Sequence, residues 1–269
     1  MFRRCVVVVN FALILRGVAL FVAASTRCFP DLTFRNSLQA LAELDFRSAE
    51  IVIGEMKSDI PLSWLVTNDI LEAGKICLLQ RQITPVALFL DVSPSDPNFY
   101  AYFKNTVRFC QMVKIVTLVI RASSLGVPYN EEHERLSRIT KFALGYGVVI
   151  SLLTENGCVS GGVDSLQCLC KGIPELTITL DPSHFIFGQS KPIDYSPIIP
   201  FVSHVRLRDT TRQDFQVQVG QGELEYSKLV GLLAKVQYRR ALCIEMRPLN
   251  NSLIESELRK MRLLVESNI

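Results

Sequence analysis

From Ala19 onward the chain alternates short apolar runs rich in β-branched residues with longer stretches of helical period, and it does so eight times. The runs span residues 19–26, 49–53, 85–90, 115–120, 148–153, 176–180, 204–207 and 241–246. Most of these runs are continuously apolar rather than alternating, so each strand must be buried on both faces, as happens in a parallel sheet covered by its own crossover helices. The first helix is expected to start near Thr33, with Leu38, Leu41, Ala42 and Leu44 as its apolar stripe. The third covers about 98–113. The fourth covers about 130–144, where Glu131, Glu132 and Glu134 suit the positive end of a helix. The last, 252–266, sets Leu253, Leu258, Met261, Leu264 and Val265 among charges and so packs one face and solvates the other.

Eight such units close more naturally into a barrel than they lie in an open sheet. A (β/α)8 TIM barrel, an α/β fold, needs about 250 residues, and the chain has 269. A single barrel domain over 18–269 therefore uses nearly all of it and leaves 1–17 as an apolar N-terminal extension. No G-x-G-x-x-G or G-x-x-x-x-G-K-[ST] follows an early strand, which argues against a doubly wound nucleotide-binding sheet. Gly161-Gly162 reads as a turn.

Composition narrows the function classes. At 49% hydrophobic and 20% charged the chain is too apolar for disorder. A net charge of +3, with Arg239-Arg240 the only arginine pair beyond the N-terminus, supplies no basic stripe and argues against a nucleic-acid partner. The eight cysteines have no regular spacing and read as reduced thiols of a cytoplasmic protein; Cys168 and Cys170 form too weak a pattern for zinc. Phe2-Arg3-Arg4, the apolar run 5–15 and Val22-Ala23-Ala24 resemble an export signal, which is the alternative location. Arg16 interrupts that run, and cleavage after Ala24 would remove most of the first strand, so an uncleaved extension is preferred. The run is also shorter than the ~20 residues a bilayer requires, so no membrane span is expected. Nothing in the sequence specifies an oligomeric state.

In a closed barrel the loops after the strands form the functional face, so ionisable residues just beyond apolar runs carry weight. VVISLLTEN ends in Glu155. LTITLDPSH carries Asp181 and His184. VSHVRLRD carries His204, Arg206 and Asp209, and ALCIEMRP carries Glu245. Strand alternation places Glu155 on a face with Ser151 and Leu153, Asp181 with Thr177 and Thr179, and Glu245 with Cys243. Four consecutive strands thus present ionisable groups to one mouth. His133, on a charged helix, reads as solvated, and Tyr226 as a residue docking the seventh helix.

The segments LLTEN, LDPSH, VSHVRLRDT, VQVGQGELEY and ALCIEMRP, in this order, resemble the xylose isomerase-like TIM barrels, the superfamily of sugar phosphate isomerases and epimerases and of endonuclease IV. The resemblance covers the chain from about Ala19 to its end. It implies carbohydrate metabolism and a small sugar-like substrate. It also implies one divalent metal, manganese or magnesium, held by Glu, Asp, His and Glu of strands five to eight, with the two glutamates exchanging a proton beside a carbonyl. Residue by residue the ligands become Glu155, Asp181, the position of Arg206, and Glu245; Glu155 and Glu245 become the acid–base pair; His184 and Arg212 become substrate-binding.

The family's strand reads H-x-H-x-x-D, with the second histidine on the metal, and here that position is Arg206. Guanidinium has no acceptor and stays protonated, so it repels a dication. His204 lies on the same inward face, about 6–7 Å deeper by strand rise. Two arrangements follow. Three carboxylates hold the metal while Arg206 meets an anionic substrate group, or Arg206 replaces the metal charge among Glu155, Asp181 and Glu245. The first leads to an isomerase or epimerase working by general acid–base catalysis. The second leaves either a metal-free acid–base site or a non-catalytic barrel binding a sugar-like or anionic ligand. The endonuclease alternative needs a histidine-rich multi-zinc site, and the chain has three histidines.

Overall fold

Eight parallel strands form close to the expected positions: β1 (Phe21–Ser25), β2 (Ser48–Gly54), β3 (Thr84–Leu90), β4 (Thr117–Ile120), β5 (Val149–Leu153), β6 (Thr177–Leu180), β7 (Val202–Leu207) and β8 (Ala241–Ile244). Each pairs with its neighbour in sequence, and β1 pairs with both β2 and β8, which closes the barrel. The computed structural model describes residues 20–67, 69–80, 82–250 and 252–269. The N-terminal extension 1–17 lies outside the described residues. A two-residue strand, Ile60–Pro61, pairs with the end of β2.

Among the described residues seven α-helices lie outside the barrel: α1 (Phe34–Glu43), α2 (Ile70–Leu79), α3 (Phe99–Val113), α4 (Tyr129–Leu144), α5 (Val163–Gly172), α6 (Tyr226–Lys235) and α7 (Ile254–Glu266). Thr33 caps α1, its hydroxyl accepting from the Asn36 amide at 3.4 Å. The eighth helix implied by the sequence rhythm does not form. Between β6 and β7 the described chain has only two 3-10 turns, Pro182–Phe185 and Ser196–Phe201. Pro182, Pro192, Pro197 and Pro200 crowd this crossover, and each lacks the amide that an α-helix interior requires.

The main core lies between the outward strand faces and the helices, built around Phe46, Phe99, Phe103, Phe109 and Phe185 with the aliphatic faces of the strands. The barrel interior is a separate stack. Ala23, Ala241 and Cys243, with Phe21 and Val86, fill its lower part, and Val52, Ala87, Phe89, Val119 and Leu153 fill its upper part. Register shifts interrupt two pairings. One lies between β2 and β3 beside Pro85, and the other between β6 and β7, where Ile178 faces Val202 but Thr179 faces His204. The second shift leaves Ser203 without a pairing partner there, and its hydroxyl bonds Thr177 at 2.6 Å and Ser151 at 3.0 Å. No helix among the described residues is long and apolar enough to cross a membrane.

Helix α7 turns Leu258, Met261 and Val265 inward, whereas Leu253 and Leu263 are exposed. Leu258→Ala is expected to cost about 2–5 kcal/mol of unfolding free energy in urea, and Leu263→Ala no more than about 0.5 kcal/mol.

Candidate functional site

The strand ends meet in a polar pocket of about 260 Å3 at the C-terminal mouth, lined by residues that include Glu155, Asp181, His184, Arg206, Arg208, Phe215 and Glu245. Larger hollows of about 510 and 530 Å3 lie elsewhere, one against α3 and α4 and one by the start of β7. The mouth is the stronger candidate because strand-end side chains from most of the barrel converge there.

Asp181 follows β6 and is almost fully buried. Its Oδ1 accepts the Ser183 amide at 3.1 Å, capping the turn Pro182–Phe185. Its own amide donates to the Thr154 hydroxyl at 2.8 Å, which stitches the ends of β5 and β6 together. Oδ2 accepts from a terminal nitrogen of Arg208 at 2.7 Å, and that same nitrogen donates to Glu245 Oε2. Arg208 thus stands between the two carboxylates, its guanidinium 4.5 Å from the centre of the Phe215 ring. Burial opposes ionisation of Asp181 and Glu245. The charge of Arg208 outweighs it in both, helped by His184 for Asp181 and by Arg206 and Arg247 for Glu245, so both carboxyls are held below their ordinary range.

Glu155 is clasped by Arg121, whose Nε donates at 3.0 Å and whose terminal nitrogen contacts the other oxygen. Arg121 reaches Asp91 at 3.3 Å, Asp91 pairs with Arg27 at 2.5 Å, and Arg27 holds Asp59 at 2.6 Å. Alternating charges therefore run around the rim across the ends of β1 to β5. Gly54 is required beside this chain, since a Cβ there would lie 2.5 Å from Asp59 Oδ2 and 2.7 Å from Arg27.

Arg206 is not among the three carboxylates at the mouth, where the sequence suggested it. It turns to Glu50 of β2, with Nε at 3.0 Å from Oε2 and a terminal nitrogen at 2.8 Å from Oε1, and it lies 4.2 Å from the Phe89 ring centre. The guanidinium nearest Asp181 and Glu245 is Arg208, one alternation further along the same face. His204 also faces Glu50, Nε2 to Oε2 at 3.0 Å. Burial would raise the Glu50 pKa, but Arg206 and His204 prevail and bring it down to about 2. His184 sits in the pocket. Its Nδ1 accepts the Asn156 amide at 3.2 Å, so a neutral ring carries its proton on Nε2, 4.0 Å from Asp181. Arg212 is half-exposed and outside the pocket lining; it holds Glu223 at 2.9 Å and the Ser190 carbonyl at 3.2 Å.

The loop after β7 is anchored by Asp209, which accepts the amides of Gly220 at 2.7 Å and Gly222 at 3.1 Å and the Tyr226 hydroxyl at 3.2 Å. Gln216 then exchanges two hydrogen bonds with the backbone of Arg247, at 2.7 and 2.8 Å. This carries Phe215 over the mouth against His184, ring centres 4.8 Å apart. Tyr226 begins α6, buried, as a docking residue would be. His133 is partly buried rather than solvated, and the Gly172 Cβ position lies 3.0 Å from its Nε2. Glu132 does more than face the α4 dipole. Fully buried, it accepts the Ser123 amide and hydroxyl and pairs with Arg135 at 2.7 Å.

Two donor sets bear on a metal. Glu50 Oε, His204 Nε2 and Cys243 Sγ lie within 4.8 Å of one another deep in the barrel. Both Glu50 oxygens face Arg206, whose fixed positive charge takes up the carboxylate and repels a dication there. At the mouth, Arg208 fills the gap between Asp181 and Glu245 while Arg121 holds Glu155. Neither arrangement fits a divalent ion. The seven described cysteines are free.

Fold and mouth together define the class: a closed (β/α)8 barrel with a charged polar pocket at the C-terminal ends of its strands. The family model of the xylose isomerase-like TIM barrel matches residues 38–264, and the chain belongs to that family. No curated protein sequence matches it. Among solved structures it is similar to a D-tagatose 3-epimerase-like protein, with 18% identity, TM-score 0.69, and 92% of this chain and 98% of the other covered. It is also similar to the IolI protein with a bound zinc atom, at 14% identity and TM-score 0.72 with 93% and 99% covered. A third is the probable 3-DHS dehydratase AsbF of Bacillus anthracis, at 14% identity and TM-score 0.67 with 92% and 99% covered. At these identities the likeness is one of fold.

Removing Arg208 strands two buried carboxylates. Arg208→Ala is expected to lower stability by about 3–5 kcal/mol at neutral pH, read by chemical denaturation. Glu50, Asp181 and Glu245 have folded pKa values below their unfolded ones, near 4. Their stabilisation is complete above that range and lost as pH falls through the folded values. The thermal midpoint should therefore drop between about pH 5 and pH 2, and less steeply in Glu50→Gln. In Gly222→Ala the added Cβ would sit 1.9 Å from Asp209 Oδ1. That variant should detach the loop after β7, seen as faster amide exchange at residues 217–223.

Proposed function

We propose that this barrel binds a small, polyhydroxylated, sugar-like molecule at its mouth without a metal ion, as a binding member of its family rather than a metal-dependent isomerase. The observation that carries this reading is that both glutamates of the expected proton-exchanging pair are held by arginines, Glu245 by Arg208 and Glu155 by Arg121. A general base works best with its pKa near the working pH. Glu245 is held low, so it stays ionised, accepts protons poorly and has none to return.

What remains is an array of fixed donors and acceptors, which suits hydroxyl groups because each hydroxyl both gives and takes a hydrogen bond. The pocket is smaller than those that take drug-sized ligands, which favours a compact molecule. The charges nearly balance, which favours a ligand without a strong charge: Arg27, Arg121, Arg206, Arg208 and Arg247 line the pocket against Asp91, Glu155, Asp181 and Glu245, and from behind the lining Asp59 pairs with Arg27 and Glu50 with Arg206. The structural neighbour named as D-tagatose 3-epimerase-like supports a sugar-like ligand.

A second reading, an isomerase or epimerase using acid–base transfer without metal, is favoured by one observation. His184 offers its Nε2 proton inside the pocket, 4.0 Å from Asp181 and beside Phe215. The two readings separate in one set of measurements. Thermal shifts against ketoses, aldoses, polyols and sugar phosphates should reveal at least one stabilising sugar-like ligand, to the same extent with and without EDTA, and solvent deuterium should not enter that ligand. Deuterium incorporation that disappears in His184→Gln would establish the enzyme reading instead. If no compound gives a shift or an exchange, both readings are to be abandoned.

A further inference from the structure

The resemblance carried by β7 places one arginine, Arg206, where a ligand histidine is expected. The side chains divide the task between two. Arg206 is drawn down into the barrel by Glu50, with contacts of 3.0 and 2.8 Å, and is fixed from one side by Phe89. That leaves the gap between Asp181 and Glu245, which Arg208 fills with a single terminal nitrogen touching both. Both arginines are buried, at 4% and 7% exposure. Both stay charged, because the carboxylates around them outweigh the effect of burial. A dication between Asp181 and Glu245 would have to evict Arg208 and then sit near the charge of Arg206, which is close enough to lower the Glu245 pKa. With Arg206 replaced, Arg208 still occupies the gap. With Arg208 replaced, the charge of Arg206 and the lack of a fourth ligand remain.

We propose that Arg206 and Arg208 together are a permanent two-residue replacement for a metal ion, closing the mouth to divalent cations, and that neither replaced alone reopens it. This rests on the metal-free part of the function proposed above and is independent of which ligand binds. Manganese titration followed by electron paramagnetic resonance tests it, since bound Mn2+ loses the signal of the free ion. The chelator-dialysed full chain is compared with Arg206→His, Arg208→Gln, the double variant R206H/R208Q, and R206H/R208K, which keeps the second charge. The unmodified protein, both single variants and R206H/R208K are expected to leave the free-ion signal unchanged, while R206H/R208Q removes one equivalent per chain. One Mn2+ bound by the unmodified protein, by either single variant or by R206H/R208K overturns the proposal, and so does an R206H/R208Q protein with a native circular dichroism spectrum that binds none. Should R206H/R208Q fail to fold, the unmodified protein, Arg206→His and R206H/R208K still decide it: an ion bound by any of them refutes the two-arginine lock, and none bound by all three upholds it. The titration contains no sugar, so a failed ligand screen leaves its outcome untouched.

Discussion

A fully buried carboxylate, Glu50, points into the barrel from β2, and the arrangement of the whole mouth depends on its being neutralised. An unpaired carboxylate at that depth would be too costly to keep ionised. Arg206 supplies the charge from the opposite wall, His204 supplies a further contact, and Phe89 fills the space beside the guanidinium. Once Arg206 is committed there, it no longer reaches Asp181 and Glu245. Those two, themselves buried, need another cation, and the next inward residue of β7 is Arg208. The position of each arginine follows from the acid below it.

The same pairing holds the barrel ends together. Asp59, Arg27, Asp91, Arg121 and Glu155 link the ends of β1 to β5 by contacts between charges, and Asp181, Arg208 and Glu245 link β6 to β8. Few backbone hydrogen bonds are available past the last paired residues of the strands, so these side chains stiffen the rim that loops would otherwise leave soft. The loop after β7 is drawn into this frame by Asp209 and by the Gln216–Arg247 exchange, which fixes Phe215 over Arg208. A stiff mouth whose charges are already paired suits binding without reorganisation better than it suits groups that must change protonation state.

Much of the fold was legible because it depends on period. Continuous apolar runs mark strands buried on both faces, and the cap at Thr33 and the apolar stripe of α7 mark helices. The sixth crossover breaks the rhythm because its four prolines leave room only for two 3-10 turns. Glu155, Asp181, His184 and Glu245 were found because an ionisable residue at the end of an apolar strand is conspicuous. Arg27, Asp91 and Arg121 obey the same rule at the ends of β1, β3 and β4, outside the four strands whose motifs carry the resemblance. Glu50 also left a signal, an acid within the run AEIVI. What no local pattern shows is which cation serves which carboxylate. Arg206 and Arg208 share a face of one strand, and only the three-dimensional position of Glu50 separates their partners.

Replacing a metal with arginine changes when the barrel is stable as well as what it can catalyse. A bound ion stabilises a fold only while it is bound, to an extent set by its free concentration. A guanidinium is covalently present and stays charged at every pH the protein survives, so its stabilisation is lost only when the carboxylates opposite it take up protons. It provides no Lewis acid and no water of lowered pKa. It also offers planar N–H donors in fixed directions, which orient hydroxyl and carboxylate oxygens more sharply than a spherical ion does. On the reading proposed above, a barrel wired in this way gives up the chemistry that depends on a metal and keeps, whatever the metal supply, a preformed surface for recognising a small oxygen-rich molecule.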